Sequence, residues 1–260
     1  MNIDEILSSI REERETLIPD SWAQGRTTFG GLTAAILCEA TVKGTDPARY
    51  LRNFEIGFVR PLEALKPFEI QVETLANGKT VTIKSARIIQ EGKVRATARA
   101  DYVLPLESSV VIDTFTHPQL KEKKGSVPLQ GDHLPSFFQY FDNHVATEGI
   151  PFYGHEVPEL GGWMKFKDAP KKITNAHLIC MIDSWPPTAS PYYKGFKPLS
   201  TLSWSVHFAN PNHELSPADH LGYLAKVNFS ENGLSSSHAD VWGPGGQLLA
   251  RSVQTNIIYG

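Results

Sequence analysis

Asn53-Phe54-Glu55-Ile56-Gly57-Phe58-Val59-Arg60-Pro61 and Ser203-Trp204-Ser205-Val206-His207-Phe208-Ala209-Asn210-Pro211 are two versions of one stretch, an apolar run that closes on proline. They lie about 150 residues apart. Each is followed by a glycine turn, at Asn77-Gly78 in the first copy and Asn232-Gly233 in the second. A second glycine turn then leads into a final strand, through Glu91-Gly92-Lys93-Val94-Arg95-Ala96 and Gly246-Gln247-Leu248-Leu249-Ala250. The spacing is too long for a solenoid repeat and fits two domain-sized copies of roughly 100–150 residues each.

The segments around the repeat supply the rest of each copy. Ile3, Ile6, Leu7 and Ile10 fall on one face of a helix expected over residues 3–17. Trp22 to Arg26 reads as a short strand or loop. Phe29-Gly30-Gly31 opens the small-residue run Leu32 to Ala40, a buried helix that a sheet can approach closely. Strands are expected at 51–59, 67–76, 79–90 and 93–104, with hairpin turns at Asn77-Gly78 and Glu91-Gly92. The second copy is expected to start with a strand at Phe137 to Phe141. A helix from Ile173 to Trp185 follows, stopped by Pro186-Pro187, and then strands at 200–209, 221–230, 234–243 and 247–258. Residues 107–134 carry Ser108-Ser109, the basic run Lys121 to Lys124 and Pro128, and read as a solvated linker. The expected division is 1–106, a linker at 107–134, and 135–260.

Each copy is therefore a long central helix lying along a curled antiparallel sheet, an α+β architecture. That arrangement is a hotdog, and two in tandem make a double hotdog whose chain supplies its own pseudo-dimer.

Composition narrows the function. With 41% hydrophobic residues, 260 residues suffice for a sizeable core. A net charge of −3 argues against nucleic acid. Cys38 and Cys180 read as small buried core residues in a reducing compartment. The acidic amphipathic start resembles no signal peptide, and no apolar run reaches membrane-spanning length, so a cytoplasmic protein is expected.

The two copies differ at polar positions. Asp183, Thr201 and Gln254 belong to the second copy. Their counterparts in the first are Thr41 (the nearest match), Leu51 and Ala100. Taken singly, a carboxylate at a helix end, a strand threonine and a strand glutamine are ordinary. Their joint loss from one copy points to a shared site.

At these residues the sequence resembles the acyl-CoA thioesterase II family. The matching stretches are Gly25 to Gly31, Phe58-Val59-Arg60-Pro61, Asp183, Ser200-Thr201-Leu202, Phe208 to Pro211, and Ser252-Val253-Gln254. The resemblance implies that Asp183, Thr201 and Gln254 form the catalytic set, positioning water for attack on an acyl-CoA thioester with no metal or other cofactor. Arg52 and Ala209-Asn210 depart from the family pattern, where a histidine and an aromatic-histidine pair are common. A carboxylate in a partly apolar groove gains proton affinity and suits a general base. The threonine hydroxyl and glutamine amide suit the fixing of one water. Gly30 and Gly31 are candidate substrate contacts at a helix start, where backbone N–H groups bind anions, or they serve close packing. Trp185 and Tyr192, with Tyr193 and Phe196, either wall an acyl groove or pack as ordinary aromatics. Homodimers or higher homo-oligomers are expected.

Other chemistries have less support. There is no Gly-x-Ser-x-Gly elbow, and Ser235-Ser236-Ser237-His238 reads as a strand-start cluster. Among nine histidines, His207, His213 and His220 lack the close spacing of metal ligands. Asn210-Pro211-Asn212-His213 gives part of a hydratase motif, with Phe208 where an aspartate is needed. A non-catalytic acyl-thioester-binding protein is the alternative from another class.

Overall fold

The structure, a computed structural model, describes residues 1–131, 134–209 and 214–259. The hydratase-like segment Asn210 to His213 lies outside the described residues.

The chain runs α1 (Ile3–Arg11), β1 (Ala23–Gln24), β2 (Thr27–Thr28), α2 (Gly30–Val42), β3 (Tyr50–Phe58), β4 (Glu69–Asn77), β5 (Val81–Gln90) and β6 (Lys93–Val103). It continues through β7 (Val127–Pro128), β8 (His144–Val145), β9 (Glu159–Met164), α3 (Asn175–Ile182), β10 (Leu199–Phe208), β11 (Leu221–Glu231), β12 (Leu234–Trp242) and β13 (Leu248–Ile258). Apart from the small β1–β2 pair, the strands form one eleven-stranded sheet in the order β4-β5-β6-β3-β10-β13-β12-β11-β9-β8-β7.

The repeat is visible in that order. The block β4-β5-β6-β3 meets β10-β13-β12-β11 in mirrored sequence, joined by antiparallel pairing of β3 with β10. Glu55 faces Ser205 at the centre of this seam, so the two repeated stretches lie side by side. The correspondence extends to irregularities. The β3–β6 register slips between Leu51 and Asn53, and the β10–β13 register slips between Thr201 and Ser203. Phe54 pairs with Ala100, and Trp204 pairs with Gln254. These pairings match Leu51 with Thr201 and Ala100 with Gln254. Glu91-Gly92 and Asn232-Gly233 turn their hairpins with both residues at positive φ, the backbone of a type I′ turn.

The helices pack on one face. In α2, Leu32, Ala34, Ala35, Ile36, Leu37 and Cys38 are all buried, and their small volumes let it lie against both α3 and the first block. Helix α3 is shorter than its sequence suggests. It starts at a capping box in which Thr174 and His177 satisfy each other's backbone N–H groups. It ends after eight residues, with Asp183 as its C-cap, and does not reach Trp185. Pro186 and Pro187 explain this: each proline lacks an N–H and disfavours helical backbone in the residue before it. A long central helix in both copies is therefore not observed.

Two further expectations are corrected, and one strand had not been expected. The first helix ends at Arg11, well before residue 17, because Glu13 takes a left-handed backbone (φ 53°). Phe137 to Phe141 is not a strand. Ser136–Tyr140 is a 3-10 turn whose rings stack on the first copy, Phe137 on Phe29 at 3.9 Å and Tyr140 on Trp22 at 4.0 Å. Strand β9 has no sequence expectation, because Gly161-Gly162 interrupts its pattern. Those glycines permit close approach: a Cβ on Gly161 would strike the Tyr223 carbonyl, and one on Gly162 the His144 carbonyl. Cys38 and Cys180 are buried free thiols. No described helix is long and apolar enough to cross a membrane.

Candidate active site

Asp183 leaves the end of α3 pointing at the sheet, and Gln254 on β13 meets it: the Gln254 Nε2–H donates to Asp183 Oδ1 at 2.8 Å. The other side of the carboxylate faces the first copy. A Cβ added to Gly30 would lie 2.8 Å from Asp183 Oδ2, and one on Gly31 2.9 Å from Asp183 Cβ. Only glycine at the start of α2 allows this approach. The positive pole of α2 and the Gly31 amide therefore stand against the carboxylate.

The electrostatic balance is decided by burial. Asp183 keeps partial contact with solvent, yet protein atoms crowd it. Loss of solvation pushes its pKa up to about 7, and the hydrogen bonds from Gln254 and the Gly31 backbone offset only part of that. The result is a carboxylate that takes up a proton near neutral pH. The neighbouring Tyr223 hydroxyl is pushed well above its ordinary range, first by burial and then by the Asp183 charge.

Thr201 reaches Asp183 indirectly. Its Oγ1–H donates to Asn256 Oδ1 at 2.9 Å, and Asn256 Nδ2 makes a long 3.5 Å contact with Gln254 Oε1. Thr201, Asn256, Gln254 and Asp183 thus form a chain, with Asn256 the link that sequence reasoning missed. Thr201 and Asn256 are cross-strand partners, which places both side chains on the same face.

A niche of about 10 Å³, close to the lower limit for one water, adjoins Asp183 and Gln254. Ser237, Ser252, Trp185, Trp204 and Tyr223 are among its walls. Ser252 Oγ accepts a 2.7 Å bond from Trp204 Nε1. Ser237 pairs with Gln254 across the strands, is buried, and makes no hydrogen bond from its hydroxyl to another described residue. That hydroxyl is the second feature missed from sequence. Its only signal was the serine run 235–237.

Of the expected substrate contacts, Gly30, Gly31 and Trp185 adjoin Asp183 or its niche. Trp185 is buried, stacked on Tyr223 (5.0 Å, 6°), with its Nε1–H on Met164 Sδ at 3.2 Å. Tyr192 and Phe196 are exposed and do not line the niche.

Comparison with known proteins gives the family and the fold. Residues 18–103 match the model of the acyl-CoA thioesterase N-terminal domain, and residues 116–258 match that of the acyl-CoA thioesterase C-terminal domain. The chain belongs to the acyl-CoA thioesterase family. Its fold is shared by a hot dog fold protein of unknown function from Alicyclobacillus acidocaldarius (20% identity, TM-score 0.81, 95% of this chain and 92% of that one). It is also similar to the TesB protein of Mycobacterium avium subs paratuberculosis (16%, 0.76, 100% of each chain). A third similar structure is the acyl-CoA thioesterase II TesB2 of Mycobacterium marinum (15%, 0.76, 99% and 98%). Among curated proteins, none matches the chain significantly.

Proposed function

We propose that the chain is a double-hotdog hydrolase of acyl-CoA thioesters, divided as 1–106, a linker at 107–134, and 135–260, with one active site built around Asp183. The observation that carries this reading is the Asp183–Gln254 pair: a carboxylate with a pKa near neutrality, locked in one orientation by an amide.

In the proposed reaction, Asp183 accepts a proton from a water that Gln254 orients, and the water oxygen attacks the thioester carbonyl carbon. The positive pole of α2, whose Gly31 N–H is held by Asp183, adds a field that favours the negative charge developing on the carbonyl oxygen. Collapse of the tetrahedral intermediate breaks the C–S bond. Protonated Asp183 returns the proton to the departing coenzyme A thiolate, leaving a free carboxylic acid. Thr201 contributes through Asn256, which it holds against Gln254. The first copy closes the site with α2, and its own counterparts Leu51 and Ala100 carry no polar groups.

The test is product analysis on a panel of acyl-CoAs, by mass spectrometry of both small molecules and protein. Free coenzyme A and acid, with no acylated protein, are expected. Hydrated crotonyl-CoA with its thioester intact would assign a hydratase instead. Binding of acyl-CoA without turnover of any member of the panel would assign a non-catalytic binding protein.

A further inference from the structure

Asp142, just before β8, collects cationic and imidazole groups from three separate segments. His144 Nε2 on β8 lies 2.9 Å from Oδ1, and His220 Nε2, just before β11, lies 2.9 Å from Oδ2. Lys123 Nζ, from the segment between β6 and β7, lies 3.1 Å from the same Oδ2 and 2.9 Å from His220 Nε2. The two imidazoles stand edge to face, 6.1 Å apart at 81°. Asp142, His144 and His220 are half-buried, Lys123 is exposed, and none of the four lines the Asp183 niche.

The hydrogen-bond arithmetic does not close. His220 Nε2 either carries a proton and donates to Asp142 or offers a lone pair to Lys123; it cannot do both. His144 Nδ1 is buried without a partner. Two imidazole nitrogens and a carboxylate oxygen lie within 4.8 Å of one another. In a tetrahedral zinc site, bonds of about 2.0–2.2 Å place ligand atoms roughly 3.4 Å apart. Binding therefore requires the three side chains to draw inward from that spread. Three protein ligands with an open fourth position form a recurrent zinc arrangement, and imidazole and carboxylate donors suit zinc-class ions.

We propose that Asp142, His144 and His220 bind one divalent transition-metal ion of the zinc class, which displaces the Lys123 ammonium from the position it holds between Asp142 and His220. A single cation shared by three lone pairs resolves the conflict at His220. The site ties together two segments that are distant in sequence, His220 following Asp142 by 78 residues. Asn143, between two of the ligands, donates to Ser184 Oγ at 2.8 Å, so the ion would brace the turn that carries Asp183. Lys123 competes with the ion, and the unpartnered His144 Nδ1 gives no outer hydrogen bond to strengthen its ligand. An exchangeable ion is therefore expected, not a permanently held one.

The experiment is a Co²⁺ titration of the chelator-treated full chain, followed by visible d–d absorption and then displacement by Zn²⁺. One saturable equivalent is expected. Asp142→Asn and His220→Ala should each weaken binding at least about tenfold, with His144→Gln as the milder check if either variant folds poorly. Lys123→Ala, at an exposed position, should tighten binding several-fold by removing the competing charge. Absence of a saturable equivalent would overturn the proposal. So would binding of equal strength in Asp142→Asn and His220→Ala, which would mark an adventitious ion only. Thioester hydrolysis is not part of the readout, so neither outcome bears on the reaction assigned to Asp183.

Discussion

Gln254 Nε2 donates to Asp183 Oδ1 across 2.8 Å, joining β13 to the end of α3. The bond favours the charged carboxylate, so its removal has a definite sign. Gln254→Ala should lower kcat by about 100-fold, the scale of losing one preorganised donor. It should also move the acid limb of the pH–rate profile upward, because burial then acts against a weaker opponent. Steady-state kinetics across pH read both effects, and an unchanged acid limb would contradict this role for Gln254.

The pKa of about 7 at Asp183 sets the pH dependence of the parent protein. As a general base Asp183 must be deprotonated, so kcat/KM should fall about tenfold per pH unit below 7 and level off above it. Stability runs the opposite way. The folded chain holds this proton between the unfolded carboxyl value, about 3.9, and 7. The contribution is fully present below about pH 4 and is lost as pH rises through 7. Denaturant titrations from pH 4 to 8 should show a steeper fall in stability for the parent than for Asp183→Asn.

Thr201 acts through Asn256, not by direct contact with Asp183. Thr201→Val, which keeps the shape and removes the hydroxyl, should cost roughly 5- to 30-fold in kcat, about 1–2 kcal/mol for a part-buried hydrogen bond. Asn256→Ala should cost at least as much. The double variant should be little worse than Asn256→Ala alone, because both changes break one chain. Full additivity in that cycle would separate Thr201 from the site.

Glycine at the start of α2 is a steric requirement. A Cβ on Gly31 would lie 2.5 Å from the Phe29 ring as well as 2.9 Å from Asp183 Cβ. Gly31→Ala should therefore destabilise the fold by about 1–3 kcal/mol and reduce turnover together, through displacement of Asp183. Thermal melts paired with kinetics check this. Retained turnover in a destabilised variant would leave the glycine with packing alone.

The parts of this molecule that were legible in the sequence are those fixed by local chemistry. The long strands end close to their expected limits because alternation and glycine turns such as Glu91-Gly92 and Asn232-Gly233 act over a few residues. Strand β9 escaped because Gly161 and Gly162 serve contacts with Tyr223 and His144, remote partners with no local signature. The Phe137 to Phe141 run misled for the same reason, since its rings stack on Trp22 and Phe29. At the site, the loss of polar groups between the two copies singled out Asp183 and Gln254, which the fold brings into contact. Asn256 and Ser237 stayed hidden because an asparagine or serine in a strand is unremarkable until its neighbours are known. Asp142, His144 and His220 converge only after β8, β9 and β11 are laid side by side.

The most direct measurement is thiol release from acyl-CoA by the parent chain and by Asp183→Asn at matched concentration and pH 8. The parent should release coenzyme A catalytically, and the variant should lose about 10²–10⁴-fold in kcat while remaining folded. Equal turnover by the two proteins would contradict the assignment of Asp183, and no release by the parent from any acyl-CoA would contradict the hydrolase itself.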